Sequence, residues 1–547
     1  MFADLILLNA NIYTIDEEQP KASKIAIKNG KIIGFDEEAD QLKGPGTKLI
    51  DMEGKTVFPG LIESHAHPLH FAANLFQLDL RAEVTPDIES ILNAVREKAK
   101  VTPKGQWITG MGWDDSKLKD KRFPTIDELS EAAPDHPVFL KRTCVHNAVV
   151  NRMAFTKSNL PESPQDPEGG HFHIDPTTGK PSGLIQENAM MEFAVPSLTT
   201  EQLKKAMMQA QQQFFKWGIT TIHDMAVTKK EMTVYQQLQK ENDFRMKVRL
   251  WLWAIDQMGW TGVQEEALEL GIESHFGNDR LNIQGLKYML DGSVGGRTAA
   301  VSEPYENEKD NRGILYMKQE KLDALVSEAT QNGMRVSIHG IGERAIEMAL
   351  EAILKTNSEE ENKKMRHRIE HCALPSEKQL KQLSDHGIIA GSSIGFIYSI
   401  GDSYLANLGK ERAERVFPHA SFKKHGIIAP GNSDLPVCDG NPLFGIYTAV
   451  TRKTVGGQQL GTKESISVED AIKAYTIDAA VSGFDEDKIG SLSIGKYADL
   501  IVVDRDPFTI DPEYIKDIEV LQTIVEGQIV YKKTNEKINQ NSQLLSV

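Results

Sequence analysis

Eight short apolar runs, separated by stretches with helical patterning, are the feature that most restricts how this chain can fold. The runs are VFPGLIES (57–64), GITTIHDM (218–225), VRLWLWA (248–254), IQGLKYML (283–290), MRVSIHG (334–340), RHRIEHC (366–372), GIIAGSS (387–393) and GIIAPGNSD (426–434). Intervening stretches such as QEKLDALVSEATQNG and ERAIEMALEAILKT have apolar residues at helical spacing. Buried strands that alternate with helices predict an α/β fold with a parallel (β/α)₈ TIM-type barrel over residues 57–436.

The two ends of the chain carry a different pattern. KIAIKNGKIIGF, near the start, reads as two strands joined by an Asn29-Gly30 turn, and SIGKYADLIVVD and LQTIVEGQIVYKK, near the end, also read as strands. A chain of 547 residues is too long for one ordinary core. We therefore expect a small β-sandwich domain built from both termini, residues 1–56 and 437–547, whose C-terminal part includes the last barrel-side helices.

One connection of the predicted barrel is much longer than the others. Residues 75–215, between the first and second strands, contain a helical stretch, the tryptophan-bearing GQWITGMGWDDS and a Gly/Pro-rich segment. Connections of this length are usually functional or form domains of their own. We expect a large insert that stands over the mouth of the barrel.

Composition excludes several classes of partner. A net charge of −16 argues against nucleic acid or an anionic membrane surface, and no stretch approaches 18 uncharged apolar residues. The three cysteines are too few and too widely spaced for a disulfide framework, and the start of the chain is a poor signal peptide. We expect a soluble cytoplasmic protein that acts on a small molecule, with a homodimer left open.

Polar residues fall where the predicted strands end. His65 and His67 stand two residues apart at the end of the first run, so in a strand both imidazoles face the same side. Taken singly, each of these residues can have a purely structural role. A histidine can be hydrogen-bonded in the core, a lysine can extend its amine to solvent, and an aspartate can cap a turn. Together they predict a metal site at the C-terminal ends of the strands, formed by His65, His67, Lys287, His339, His371 and Asp434.

Longer stretches around these residues resemble a known family. GLKYMLDGSVGGRTAA, VSIHGIGERAI, HRIEHCALP and GSLSIGKYADLIVVD are similar to the metal-dependent amidohydrolase superfamily, in particular its YtcJ-like branch, which includes N-substituted formamide deformylases. The resemblance covers nearly the whole chain. It implies one or two divalent metal ions, usually zinc, at the mouth of a barrel.

The residue types agree with that chemistry. Imidazoles and carboxylates suit zinc or a similar ion, and the absence of thiolate ligands argues against a structural zinc. Asp434 is the expected catalytic residue: it takes a proton from metal-activated water and passes it to the leaving amine. The resemblance implies that Lys287 is N-carboxylated and bridges two ions. The alternative is a charged lysine that stabilises an oxyanion beside a single ion.

Four further residues are candidates for substrate binding. Arg297, in the loop DGSVGGR, can hold a substrate oxygen or pair with a carboxylate, and the loop lacks the Gly-Lys-Ser/Thr ending of a phosphate-binding loop. Trp113 and His146, in the insert, resemble family positions near the pocket, with ordinary packing as the alternative for Trp113. Glu187 either approaches the site from the insert or ends a loop. His223, which ends the second run, is expected to support the ligands or to be structural.

The leading hypothesis is a metal-dependent hydrolase that cleaves a C–N amide or formamide bond of a small, largely uncharged substrate. Two alternatives stay open. One is a hydrolytic deaminase or an esterase or lactonase on the same scaffold, because one fold supports many reactions. The other is a non-catalytic signalling or binding homologue. The sequence argues against it, because all six expected metal or catalytic positions hold residues that can bind a metal or transfer a proton.

Overall fold

A computed structural model describes residues 2–82, 84–115, 117–142, 147–161, 163–167 and 169–533. These residues divide into two compact units. The first takes in the chain up to Pro68 and again from Met208 onward, and the second is Leu69–Met207.

The first unit contains the predicted barrel. A parallel sheet of seven strands runs in chain order, each strand paired with the next. We number them β1 (Leu61–Ala66), β2 (Ile219–Val227), β3 (Lys247–Trp253), β4 (Leu281–Met289), β5 (Val336–Gly340), β6 (Arg368–His371) and β7 (Ile389–Ser392). The strands are buried almost throughout, as in sheets covered on both faces.

The eighth run closes the sheet without forming a regular strand. Parallel bridges join Gly431 to Ser392 of β7 and Leu435 to Ala66 of β1. On the β1 side, the Asp434 N–H donates to the His65 carbonyl at 3.1 Å, and the His67 N–H donates to the Leu435 carbonyl at 2.7 Å. We call residues 428–435 the closing segment. Pro430 has no N–H to donate, which explains why the ladder is interrupted there.

The first apolar run contains two strands instead of one. Thr56–Pro59 belongs to a sheet formed by the chain ends, and β1 begins at Leu61. Gly60, between them, packs directly against Thr220, where an added Cβ would lie 2.4 Å from the threonine Oγ1. A change of sheet at this point therefore requires glycine.

The chain ends form two sheets. The smaller has four strands, Lys31–Phe35, Ile25–Lys28, Leu5–Leu8 and Lys48–Asp51. The larger has six, Gln528–Lys532, Val520–Val525, Leu500–Val503, Thr56–Pro59, Asn11–Tyr13 and Lys21–Ala22. Both contribute to one buried apolar cluster. Because they belong to the same compact unit as the barrel, a separate terminal domain stays a prediction.

Helices follow the barrel strands and complete the first unit. Gln319–Gln331 and Glu343–Thr356 correspond to the two stretches given above as examples of helical spacing in the sequence. The other helices and 3₁₀ turns are Asp36–Gln41, Lys229–Leu238, Gln264–Glu269, Glu359–Met365, Glu377–Asp385, Gly395–Ala413, His419–Lys424, Pro442–Thr451, Thr462–Glu464, Val468–Ala474, Ile477–Ser482 and Pro512–Asp517. Among the described residues, no helix combines the length and the apolar character needed to cross a membrane.

The second unit has its own sheet and its own cores. The sheet order is Gly170–Ile174, Pro181–Glu187, Asn147–Val150, Val138–Arg142, Ile108–Trp113 and Leu78–Asp79. Its helices are Ile88–Val101, Ile126–Ala132, Arg152–Lys157 and the 3₁₀ turn Asn188–Glu192, while Pro68–Asn74 and Thr200–Lys216 lie at the junctions with the first unit. The predicted insert 75–215 overlaps this unit, and its position over the barrel mouth stays a prediction.

Candidate metal centre

The six predicted metal-site and catalytic residues occupy the C-terminal part of the barrel strands. His65 lies in β1 and His67 just beyond it, Lys287 in β4, His339 in β5, His371 at the end of β6 and Asp434 in the closing segment. His371 and Asp434 have left-handed φ values of 66° and 53°. Non-glycine residues in this conformation carry strain, which is commonly kept where a side chain must point in one direction.

Three of these side chains converge on one point. One donor atom each from His65, His371 and Asp434 lies within 4.8 Å of the others. Asp434 Oδ1 is 3.4 Å from His65 Nε2 and 3.1 Å from His67 Nε2. The His339 ring centroid is 4.4 Å from that of His371. The barrel thus brings four imidazoles and a carboxylate into one small volume.

The second ring nitrogen of His65 contacts a buried carboxylate. His65 Nδ1 lies 2.6 Å from Glu370 Oε2. Burial alone would raise the pKa of Glu370, but Arg368 and His65 outweigh it and hold that pKa well below its usual range. The carboxylate is therefore ionised and accepts a hydrogen bond from the Nδ1–H of His65, which leaves the Nε2 lone pair of His65 available to a metal ion.

His371 and His339 are each held through one ring nitrogen, and His339 Nε2 also lies 3.3 Å from the Asp291 carboxylate. His371 Nδ1 lies 2.8 Å from Ser393 Oγ, whose hydroxyl donates to Asn432 Oδ1 at 2.7 Å. His339 Nε2 lies 3.1 Å from the Gly292 carbonyl oxygen, which can only accept. These contacts leave Nε2 of His371 and Nδ1 of His339 as the free ligand atoms.

Lys287 is the most unusual member of the group. Its side chain is buried, and its Nζ has no hydrogen-bond partner among the described residues. Burial lowers the pKa of Lys287 to about 8, against the opposing charges of Glu370 and Asp434. Burying an amine without a hydrogen-bond partner costs free energy. A bound ion or a covalent modification at Lys287 would supply the partner that the described residues do not.

Two carboxyl groups lie on the β1 side of the site in opposite electrostatic settings. Burial would raise the pKa of Asp434, but the His65 and His67 imidazoles hold it below its usual range. Burial raises the pKa of Glu63 to about 8, even though Glu63 accepts hydrogen bonds from the Ser433 hydroxyl and N–H. Asp434 is therefore the ionised carboxylate of the two at neutral pH.

The donor set fits a divalent first-row ion. Imidazole nitrogens and a carboxylate oxygen are the ligands that zinc takes in catalytic sites. Each of the three histidines just described has its other nitrogen held by a partner, as metal ligands usually do. The buried Lys287 amine also fits such a site, because no described residue offers it a hydrogen bond.

The candidate substrate residues have different surroundings. Arg297 pairs with Glu308 and donates from Nε to Asn407 Oδ1 at 2.9 Å, which is the ion-pair alternative left open by the sequence. Trp113 is buried in an apolar cluster of the second unit and donates from Nε1 to the Leu140 carbonyl at 2.8 Å. Glu187 is exposed at the end of its strand. His146 lies outside the described residues. Substrate contact by any of the four stays a prediction.

Sequence reasoning missed several residues around the centre. Glu370 and Arg368 stand two apart in a buried run, and this charged pair on one strand face was the only signal. His223 was not missed: the sequence predicts that it supports the ligands or is structural, and its Nδ1 lies 3.1 Å from Arg368 Nη1. Trp260, in the connection after β3, has its ring 6.3 Å from that of His67 and 4.8 Å from that of Trp253. No sequence pattern distinguished Trp260 from an ordinary packing residue.

The histidines and the aspartate gather at the C-terminal ends of the barrel strands, where enzymes of this fold carry their active sites, and they form a group that could hold a metal ion. Residues 48–531 match the amidohydrolase family, and the chain belongs to that family. This confirms the resemblance seen in the sequence.

Two relatives and one solved structure indicate where in the family the chain lies. YtcJ of Bacillus subtilis (strain 168), an amidohydrolase by name, is 30% identical over 96% of this chain and 98% of its own. The N-substituted formamide deformylase of Arthrobacter pascens is 25% identical over 97% and 99% of the two chains. The structure of an uncharacterized metal-dependent hydrolase from Pyrococcus horikoshii OT3 superposes with a TM-score of 0.76 and 28% identity, covering 93% of this chain and 99% of that one.

Proposed function

We propose that this protein is a metal-dependent hydrolase that uses water to cleave a C–N amide or formamide bond of a small, largely uncharged substrate. The convergence of His65, His371 and Asp434 within 4.8 Å is the observation that carries the proposal. Family membership supports the reaction class, and the likeness to an N-substituted formamide deformylase supports the bond.

The proposed ligands are His65, His67, Lys287, His339 and His371, and they would hold one or two divalent ions, with zinc expected. An ion at such a site lowers the pKa of water and polarises a carbonyl oxygen. The protein contributes fixed imidazoles, because Glu370, Ser393 and Gly292 orient three of them before any ion arrives.

Asp434 is the proposed proton carrier. Its carboxylate is ionised at neutral pH because of the adjacent imidazoles, so it can accept a proton from the attacking water. Once protonated, the same carboxyl group can donate to the nitrogen of the leaving amine. Backbone hydrogen bonding to β1 keeps it beside His65 throughout.

Lys287 is proposed to be N-carboxylated. Carbon dioxide reacts with an uncharged amine, and burial lowers the pKa of Lys287 to about 8, which increases the uncharged fraction. The product carries a carboxylate that can bind two ions, as the family resemblance implies. A lysine that stays charged beside one ion is the alternative.

The substrate is proposed to carry an apolar substituent. Trp260 is partly exposed beside His67 and packs on Trp253, so an aromatic wall lies next to a proposed metal ligand. A mostly apolar wall with a few polar groups is typical of small-molecule sites. The strongly negative chain gives no support to an anionic substrate.

Metal analysis followed by a substrate panel tests the proposal. Protein purified without added chelator should contain between one and two equivalents of metal. N-substituted formamides should be hydrolysed faster than simple esters, lactones or ring amidines in the same panel. Turnover of ring amidines or lactones alone would replace the proposed reaction with the deaminase or lactonase alternative, and metal-free protein with full activity would refute it.

A further inference from the structure

We propose that Glu370, held by Arg368 and Ser337, is a positioning residue that fixes the tautomer and direction of His65 as a metal ligand. This inference depends on the proposed function, because it assigns a role around the same metal site. It concerns residues that are not among the proposed ligands.

The Glu370 carboxylate is fully occupied by donors. Oε1 accepts from Ser337 Oγ at 2.7 Å and from Arg368 Nε at 2.6 Å. Oε2 accepts from Arg368 Nη2 at 3.0 Å and faces His65 Nδ1 at 2.6 Å. Both oxygens are therefore fixed in place, and the His65 ring cannot rotate without losing a charge-assisted hydrogen bond in a dry interior.

Arg368 is itself fixed from three sides. Nη2 donates to the Ser64 carbonyl at 2.9 Å, immediately before His65 in β1. Nη1 contacts His223 Nδ1 at 3.1 Å and Ser482 Oγ at 3.2 Å. The arginine thus joins the backbone of the ligand-bearing strand to the carboxylate that holds the ligand side chain. A pair that served only to neutralise charge would not need this link to β1.

The neighbouring strand leaves space for the carboxylate. Gly391 of β7 pairs with Glu370 in the sheet. A Cβ added at Gly391 would lie 2.4 Å from Glu370 Oε2 and 3.2 Å from Arg368 Nη2. Any larger residue at this position would push Oε2 away from the place where it meets His65. The absence of a side chain at Gly391 is part of the same arrangement.

The first test compares Glu370→Gln with a matched loss of another buried ion pair. Lys247 and Asp499 form such a pair at 2.6 Å, and it makes no contact with the metal site, so Asp499→Asn is the control. Zinc affinity is measured by chelator competition, and the Co²⁺-loaded proteins are compared by visible absorption. We expect Glu370→Gln to bind zinc 10- to 100-fold more weakly, the usual cost of losing such a partner, with an altered Co²⁺ spectrum. Asp499→Asn should keep the wild-type values of both.

Gly391→Ala is the second test, because it leaves every partner chemically intact. Circular dichroism first establishes that the variant is folded. We expect weaker zinc binding and a changed Co²⁺ spectrum, since the added methyl group displaces the carboxylate. Wild-type affinity and spectrum in both Glu370→Gln and Gly391→Ala would overturn the positioning role, as would equal losses in Glu370→Gln and Asp499→Asn. Failure of the proposed function would be visible earlier, as a wild-type protein that binds no metal.

Discussion

Nε2 of His67 and Oδ1 of Asp434 lie 3.1 Å apart, although His67 follows the first barrel strand and Asp434 belongs to the segment that closes the ring. The same oxygen is 3.4 Å from His65 Nε2. A single carboxylate oxygen therefore faces both imidazoles of the His-X-His motif. The proposed proton-accepting role belongs to Asp434 and the proposed metal-binding role to the two imidazoles, so mutation of each side chain can test the roles separately.

Removing both imidazoles of the motif should abolish metal binding and activity together. We expect His65→Ala combined with His67→Ala to contain little or no zinc by elemental analysis, because metal affinity depends on the full ligand set. The chain offers a control with the same spacing: His171 and His173 lie in one strand of the second unit. The His171→Ala, His173→Ala double variant should keep its metal, and a double variant at 65 and 67 with full metal content would contradict the proposed site.

Asp434→Asn should separate metal binding from catalysis. The asparagine keeps the shape of the side chain and offers an oxygen, but it cannot take up a proton at neutral pH. We expect the metal content to stay at the wild-type level while kcat falls by at least about 100-fold. Asp439→Asn, at an exposed position that receives the Asn441 N–H, is the control. An unchanged kcat in Asp434→Asn would move proton transfer elsewhere, with Glu187 as the next candidate.

Carboxylation of Lys287 should depend on pH and on dissolved carbon dioxide. The pKa of Lys287 is lowered to about 8, so the reactive uncharged amine increases as pH rises through that value. We expect recovery of activity from metal-free protein to need bicarbonate and to become faster between about pH 7 and about pH 9. Native mass spectrometry should show a carboxylate adduct that Lys287→Met lacks. Recovery that is independent of bicarbonate, without an adduct, would favour the charged lysine.

Trp260 should select substrates by the substituent on nitrogen. Its ring lies beside that of His67, so its loss removes apolar contact without removing a ligand. We expect Trp260→Ala to lower kcat/KM about tenfold for N-benzylformamide, as for a loss of about 1.4 kcal/mol of contact, and to change that for N-methylformamide little. Trp260→Phe should restore part of the preference. Equal losses for both substrates would indicate a general structural role.

Trp113→Ala should mainly affect stability. The ring is buried in a cluster of the second unit and its N–H is satisfied by the Leu140 carbonyl. Truncating a buried aromatic ring to alanine costs about 3–5 kcal/mol, which denaturant unfolding would measure. A shifted preference among N-substituted formamides, with little change in stability, would instead support the pocket role suggested by the family resemblance.

Much of the barrel could be predicted because strands buried on both faces appear as continuous apolar runs. The runs around Lys287 and His339 became strands at nearly the expected positions. The eighth run did not form a regular strand, because Pro430 cannot donate to the ladder. The first run divided at Gly60, where packing against Thr220 decides the outcome. Such a contact joins residues far apart in the chain and leaves no local pattern.

The proposed ligands could be predicted because parallel strands end on the same side of a barrel. Their partners could not, since the contact of His65 with Glu370 depends on strand register and on side-chain rotamers. Trp260 was missed for a similar reason: loop residues reach a site through the path of the loop, which apolar spacing does not encode. For Arg297 the sequence left two roles open, substrate binding and an ion pair. In the structure its guanidinium pairs with Glu308.

The closing segment is where the barrel sheet closes on itself, and the proposed ligands lie on both sides of it. During synthesis His65 leaves the ribosome long before residues 428–435, and the proposed ligands on the two sides of that segment meet only when it joins β7 to β1. Metal capture would then be one of the last steps of maturation. An ion that binds only the closed barrel stabilises the closed state by its binding free energy. If the proposed site binds an ion in this way, the supply of that ion would affect the stability of each molecule as well as its activity.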